Sequence, residues 1–228
     1  MSRLNLHLQQ INGHGNYAAP DEEPRHARSP LLGSSLRSPL PLAGRAKRGG
    51  RSQANESLRE FFLIRWDVEL CQFCNRQSRY LSVRNLFRIA SRLGDGVFWY
   101  LLMAALLLRY QSEALPAVLH MLAVGLVCTA IYKLIKGKTL RPRPFNVYPD
   151  IVCVGKTLDQ FSFPSGHTLH AVAFSIVAVA YFPALFWLVW PFTALVAISR
   201  PVLGLHYPSD VLAGALLGGA IASTSLHL

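Results

Sequence analysis

The sequence predicts an all-α protein, an integral membrane helical bundle of about five or six spans with the active site at helix ends on one membrane face. Three observations carry that expectation. Hydrophobic residues make up 51% of the 228 positions, and mean hydropathy reaches +0.27 although the first quarter is polar, so the apolar residues are concentrated downstream. There they form runs of bilayer-spanning length or near it. Charged residues gather at the ends of those runs in three short stretches, where they are costly unless paired or used.

Residues 1–55 are rich in Arg, Ser, Pro and Gly, with an acidic patch at Asp21, Glu22 and Glu23 and a basic one at Arg45, Lys47, Arg48 and Arg51. Such a segment buries too little apolar surface to offset its ordering entropy, so a disordered basic tail is expected. Its basic cluster reads equally as a contact for anionic headgroups and as a solvated linker. It has no apolar core of a secretory leader, so no cleavable signal peptide is expected.

Residues 56–93 interleave apolar and charged side chains: Phe61 to Leu70, then Tyr80 to Ile89 with Arg84, Arg88 and Arg92. The second half has helical spacing and predicts an amphipathic helix lying at the membrane interface. Gly94 and Gly96 around Asp95 end it.

Residues 94–228 form the expected transmembrane domain. Val97–Leu108 is short for a span, whereas Leu115–Ile135 is long enough despite His120 and a snorkelling Lys133. Thr168–Phe182 and Ala184–Ile198, parted by Pro183, predict a tight helical hairpin. Val211–Ile221 opens a last helix whose Gly and Ala residues permit close packing.

The net charge of +11 suits nucleic acid, anionic lipid or a phosphate-bearing substrate. The apolar runs favour the last two, so the expected partners are the membrane and a lipid phosphate, with no nucleic acid. Cys71 and Cys74 form a lone C-x-x-C with no second pair at zinc spacing, and together with Cys128 and Cys153 they read as ordinary cysteines. No metal and no cofactor are expected. Gly137-Lys138-Thr139 imitates the end of a phosphate-binding loop, but the required earlier glycine is Tyr132.

In the first stretch Lys136, Lys138, Arg141 and Arg143 crowd together, stiffened by Pro142 and Pro144. Arginine forks and lysine charges match phosphate oxygens. Alone, the stretch reads equally as juxtamembrane charge that sets topology. In the second, Pro164-Ser165-Gly166-His167 precedes a helix, whose first free amides and dipole favour an anion. Alone it is a capped helix start. In the third, His206 and Asp210 lie four apart, so on the first turn of a helix the carboxylate would reach the imidazole and fix its tautomer. Arg200 adds a phosphate donor. Alone, the stretch reads as a capping aspartate with a bystander histidine.

Taken together, Lys136 with Arg143-Pro144, Pro164-Ser165-Gly166-His167, and Ser199-Arg200 with His206 and Asp210 resemble the tripartite signature of the type 2 phosphatidic acid phosphatase family, relatives of the vanadium haloperoxidases. The resemblance covers about Gly94 to the C-terminus, and every signature position is filled. It implies that His206 is the nucleophile that forms a phosphohistidine, oriented by Asp210. It implies that His167 protonates the leaving oxygen and then activates water. Lys136, Arg143, Ser165, Gly166 and Arg200 would bind the phosphoryl oxygens, in the place a metal takes in other phosphoryl-transfer sites. Lys138, Arg141 and His170 fall outside the signature and are assigned surface or packing roles, as is His120.

The expected function is a membrane lipid phosphatase, metal-independent, acting on a polyprenyl diphosphate such as undecaprenyl diphosphate. Phosphatidic acid and phosphatidylglycerol phosphate are the alternative substrates, and a catalytically silent lipid-binding membrane protein is the alternative of another class. A bacterial inner membrane is the expected location, with the site extracytoplasmic as in the family. That sidedness conflicts with a cytoplasmic basic tail followed by only five spans.

Overall fold

A computed structural model describes residues 65–155 and 159–228. The expected tail lies outside the described residues. Eight helices account for nearly all of the described chain: α1 (residues 65–76), α2 (Leu81–Arg92), α3 (Phe98–Tyr110), α4 (Leu115–Thr139), α5 (Pro144–Val147), α6 (Gly166–Tyr181), α7 (Phe186–Val202) and α8 (Pro208–Ser225). Among the described residues the single β-type pairing is an isolated bridge between Pro142 and Phe161.

Two helical stretches are long and apolar enough to cross a bilayer: Leu81–Thr139, in which α2, α3 and α4 follow one another through turns, and Pro183–Val202. The turn before α3 runs through Leu93–Val97 and holds Gly96 at φ 122°, a left-handed value that glycine adopts without strain. α4, at 25 residues, is about 37 Å long. Its proline enters at the first turn, where a missing N–H costs nothing. The expected hairpin forms at Phe182, where α6 stops and a short turn over Pro183–Leu185 starts the return helix.

The core is built where α6 meets α4, α7 and α8, around Trp99, Met121, Leu169, Phe174, Val177, Val189 and Val196. α6 and α8 approach most closely. A Cβ added at Gly214 would lie 2.5 Å from the Ser165 carbonyl oxygen, and one at Gly218 would overlap that of Leu169. These glycines, four apart on one face, let the two backbones touch. Polar side chains inside the bundle pair with each other, as Ser175 does with Thr193 at 2.7 Å. Large apolar ones face outward: Leu126 is 73% exposed, Trp187 82% and Leu216 66%. An apolar exterior is what a helix bundle needs in lipid.

The chain reverses direction at each junction, so the ends of α4 and α7 and the starts of α3, α6 and α8 share one end of the bundle. The three charged stretches occupy those junctions. At the opposite end His120 packs against Tyr181 and Ser225, with ring nitrogens 3.2 and 2.9 Å from their hydroxyls, in keeping with its expected packing role.

Candidate active site

Each junction contributes a side chain to one cavity of about 490 Å³. Lys136 comes from the last turn of α4, Arg143 from the stiff segment after it, and Gly166 and His167 from the first turn of α6. Arg200 comes from the last turn of α7 and His206 from the loop before α8. Lys136, Arg143, Arg200 and His206 are all buried.

His206 sits in a tight turn after α7. The turn closes through amides of Leu205 and His206 donating to the Arg200 carbonyl at 3.0 and 3.4 Å, and through Gly204 at φ 74°. His206 Nε2 lies 3.4 Å from Arg143 Nη1, which also donates to the Leu205 carbonyl at 2.7 Å. Its other nitrogen, Nδ1, is 3.6 Å from Asp210 Oδ2 and has no hydrogen-bond partner among the described residues. Burial, and then the charges of Arg200, Arg143, Lys136 and His167, hold the imidazole well below its usual pKa, so it is neutral at physiological pH.

The sequence expectation for Asp210 therefore needs correcting in its geometry. His206 precedes the N-cap Tyr207 and does not share the first helical turn, so Asp210 meets the imidazole at contact distance without a hydrogen bond. Its oxygens are otherwise engaged: Oδ2 accepts the Tyr207 amide at 2.9 Å, which caps α8, and Oδ1 accepts Arg141 Nη1 at 2.6 Å.

Arg141, expected in a surface or packing role, is the hub of this region. It donates to Asp67 Oδ2 at 2.6 Å and to Ser209 Oγ at 2.7 Å, and its guanidinium stacks 4.1 Å from the Tyr207 ring centre. Asp67, on α1, in turn accepts the Ser209 amide at 2.9 Å. Two more α1 side chains hold the same loop. Cys71 Sγ donates to the His206 carbonyl at 3.7 Å, and its thiol is pushed up to about 12 by burial first, which makes it inert. Asn75 donates to the carbonyls of Val202 and Val152 and accepts the Val152 amide.

Ser165 is the N-cap of α6. Its hydroxyl pairs with Thr168 at 3.0 Å and its amide donates to the Asp210 carbonyl at 3.0 Å. The helix starts at Gly166, so the first-turn amides have no carbonyl a turn earlier within the helix to bond. His167 Nε2 lies 2.5 Å from Asp95 Oδ1, at ion-pair distance but without hydrogen-bond geometry. Arg200 Nη1 donates to Ser91 Oγ of α2 at 2.6 Å, while its buried Nε has no partner among the described residues. His170 is held by the Gly166 carbonyl and Thr129 and lines the cavity wall, while Lys138 is exposed.

Sequence reasoning missed Asp95, Asp159, Asp67 and Ser91. Asp159 bonds Lys136 Nζ at 2.6 Å and Arg143 Nη2 at 2.8 Å, and its main-chain carbonyl accepts Arg143 Nε at 3.0 Å. Burial works against the carboxylate, but Lys136 and then Arg143 outweigh it and hold its pKa below the usual range. Asp95 had a signal, a carboxylate between two glycines beside an apolar run. Asp159 and Asp67 had none, because each is isolated in sequence from the residue it pairs with.

Residues 113–228 match the model of a family described as the PAP2 superfamily. The chain belongs to that superfamily. Its three charged stretches thus have the family context expected from the sequence, and the chain is a phosphatase of that superfamily. An undecaprenyl-diphosphatase of Sulfolobus acidocaldarius is 29% identical over 168 residues, covering 72% of this chain and 79% of the relative. A decaprenylphosphoryl-5-phosphoribose phosphatase of Mycobacterium tuberculosis is 34% identical over 139 residues, covering 58% of this chain and 73% of the relative. Among solved structures, a transmembrane PAP2-type phosphatidylglycerolphosphate phosphatase from Bacillus subtilis superposes with a TM-score of 0.58 at 25% identity, covering 75% of this chain and 93% of that one.

Proposed function

We propose that this chain is an integral membrane lipid phosphatase that hydrolyses a polyprenyl diphosphate, undecaprenyl diphosphate first among them, through a phosphohistidine. The observation that carries the reading is the convergence of Lys136, Arg143 and Arg200 on one cavity that also holds the buried His206 and the half-buried His167. The phosphoryl group sits among the three cations and the first-turn amides of α6. The neutral Nε2 of His206 attacks phosphorus, the N–P bond forms, and the bond from phosphorus to the bridging oxygen breaks. His167 gives its proton to that oxygen. In the second half His167 takes a proton from water, the hydroxide attacks phosphorus, and the N–P bond breaks to release inorganic phosphate. Asp210, beside Nδ1, stabilises the positive charge that builds on His206. The cations stabilise the charge on the equatorial oxygens.

The lipid side of the cavity supports a long apolar leaving group. From His167 the wall continues along Met103, Phe174, Leu122 and Leu126 between α3 and α4. Leu122 and Leu126 are also exposed on the outer surface, so an isoprenoid chain leaves the site sideways into the bilayer. Phosphatidylglycerol phosphate and phosphatidic acid are the second choice, the former favoured by the Bacillus subtilis structure. In this reading α3, α4, α6, α7 and α8 cross the membrane, the enzyme resides in a bacterial inner membrane, and the site faces the extracytoplasmic side.

Full-length protein in detergent, offered a panel of lipid phosphates with a chelator present, tests the reading through released phosphate. Polyprenyl diphosphate is expected to be hydrolysed fastest, and H206A to release none. No hydrolysis of any lipid would favour a silent binding protein, and a requirement for divalent metal would sink the mechanism.

A further inference from the structure

Two of the cavity's three cations are already bonded to an anion belonging to the chain. The two carboxylate oxygens of Asp159 each take a different cation, Oδ2 the Lys136 ammonium at 2.6 Å and Oδ1 the Arg143 guanidinium at 2.8 Å. Two oxygens of a bound phosphoryl group would divide themselves the same way. Arg143 keeps a separate hold on the Asp159 main-chain carbonyl at 3.0 Å, so the side chain can leave without the backbone moving. It also has somewhere to go. Asp159 and Arg143 line a second, more open cleft with Asn146 and Gln160, and the Asp159 side chain is 34% exposed.

We propose that Asp159 is a specificity-determining residue that competes with phosphate for Lys136 and Arg143. Substrate displaces its carboxylate towards the outer cleft, and the carboxylate returns as inorganic phosphate departs. The inference rests on reading Lys136 and Arg143 as phosphoryl ligands. Its physical ground is that three uncompensated cations in a buried pocket would hold the dianionic product as firmly as the substrate. A resident carboxylate lowers the affinity for both, and the loss is felt most by a small ligand that has no lipid chain to add binding. Asp159 thereby tilts the site towards lipid-borne phosphate and against free phosphate.

A tether that merely positions the two cations would act with the opposite sign, because its removal weakens phosphate binding. The experiment uses the full-length protein in detergent, with D159N and D159S, and inorganic phosphate as the probe. Binding is read by equilibrium dialysis and, where turnover persists, by competitive inhibition. Dialysis is independent of activity, so an inactive variant still gives an answer. Both variants are expected to bind phosphate about tenfold more tightly than the parent, the size of one charge-assisted contact at a part-exposed site. Unchanged or weaker binding in both variants overturns the proposal. R143A separates the two levels: if it leaves hydrolysis and phosphate binding intact, the clamp itself is misread. If R143A abolishes both while D159N tightens nothing, only the role of Asp159 fails.

Discussion

Replacing Arg141 by Met keeps the length of the side chain and removes its charge, and the structure sets the scale of the damage. Arg141 neutralises two carboxylates whose side chains are 5% and 0% exposed, Asp67 and Asp210, at 2.6 Å each. Without it both anions are stranded in the same buried region and repel one another. Removing one partner from a buried ion pair costs about 3–5 kcal/mol. Because Arg141 is itself 29% exposed, water offsets part of that, and about 3 kcal/mol is the working value. For a domain of this size such a loss lowers the melting temperature by about 6–12 °C. The assay is thermal unfolding of the full-length variant in detergent, beside the double variant R141M/D67N. D67N removes one stranded charge while Oδ1 can still accept the Ser209 amide, so the double variant is expected to recover part of the loss. Arg141 does not line the cavity, so R141M should lower kcat through a loosened Asp210 and leave KM nearly unchanged. A melting temperature within about 2 °C of the parent would refute the account of a buried, load-sharing cation.

Substitution G218A should cost several kcal/mol, about 2–4, since the new methyl meets the α6 backbone and only separation of the helices relieves it; a monodisperse, fully active variant would contradict that packing. H167N should slow turnover by about 10²–10⁴-fold, with phosphoenzyme trapped by acid quench and radiolabelled substrate, and normal turnover would remove His167 from proton transfer. Because burial and the neighbouring cations Arg200, Arg143 and Lys136 depress the His206 pKa, the imidazole stays neutral as pH falls through the ordinary histidine range. The acid limb of kcat/KM assigned to His206 should therefore lie below about pH 6.5, and a limb at that value would mean that the histidine is solvated. Vanadate, a mimic of the five-coordinate phosphoryl species, should inhibit competitively, and indifference to it would count against in-line attack at this cavity.

The fold was legible because its signals are local. Four apolar runs and the proline at 183 mark α4, α6, α7 and α8 to within a few residues, and the glycines around Asp95 mark the turn before α3. The signature residues were legible for a different reason: their spacing within each stretch is fixed by the helix end that carries them. What stayed hidden is pairing across the chain. Arg141 finds Asp67 at a separation of 74 residues and Arg143 finds Asp159 across 16, and nothing in the composition around either aspartate distinguishes it from a solvated one. The bond of Asp210 to Arg141 escaped for the same reason, whereas its capping of α8 was the plain reading of that stretch taken alone.

The grip of Asn75 has a practical consequence for anyone trimming this protein. The amide side chain of Asn75 bonds Val202 on one side and Val152 on the other, and Gly204 is pressed so close that a Cβ there would lie 2.7 Å from the Val152 carbonyl oxygen. The backing of the His206 loop is therefore supplied by residues 67–75, well ahead of position 113, where the match to the family begins. A truncation drawn at the family boundary would keep every signature residue and lose the buttress that aims them. The smallest fragment able to hold His206 in place starts ahead of Asp67.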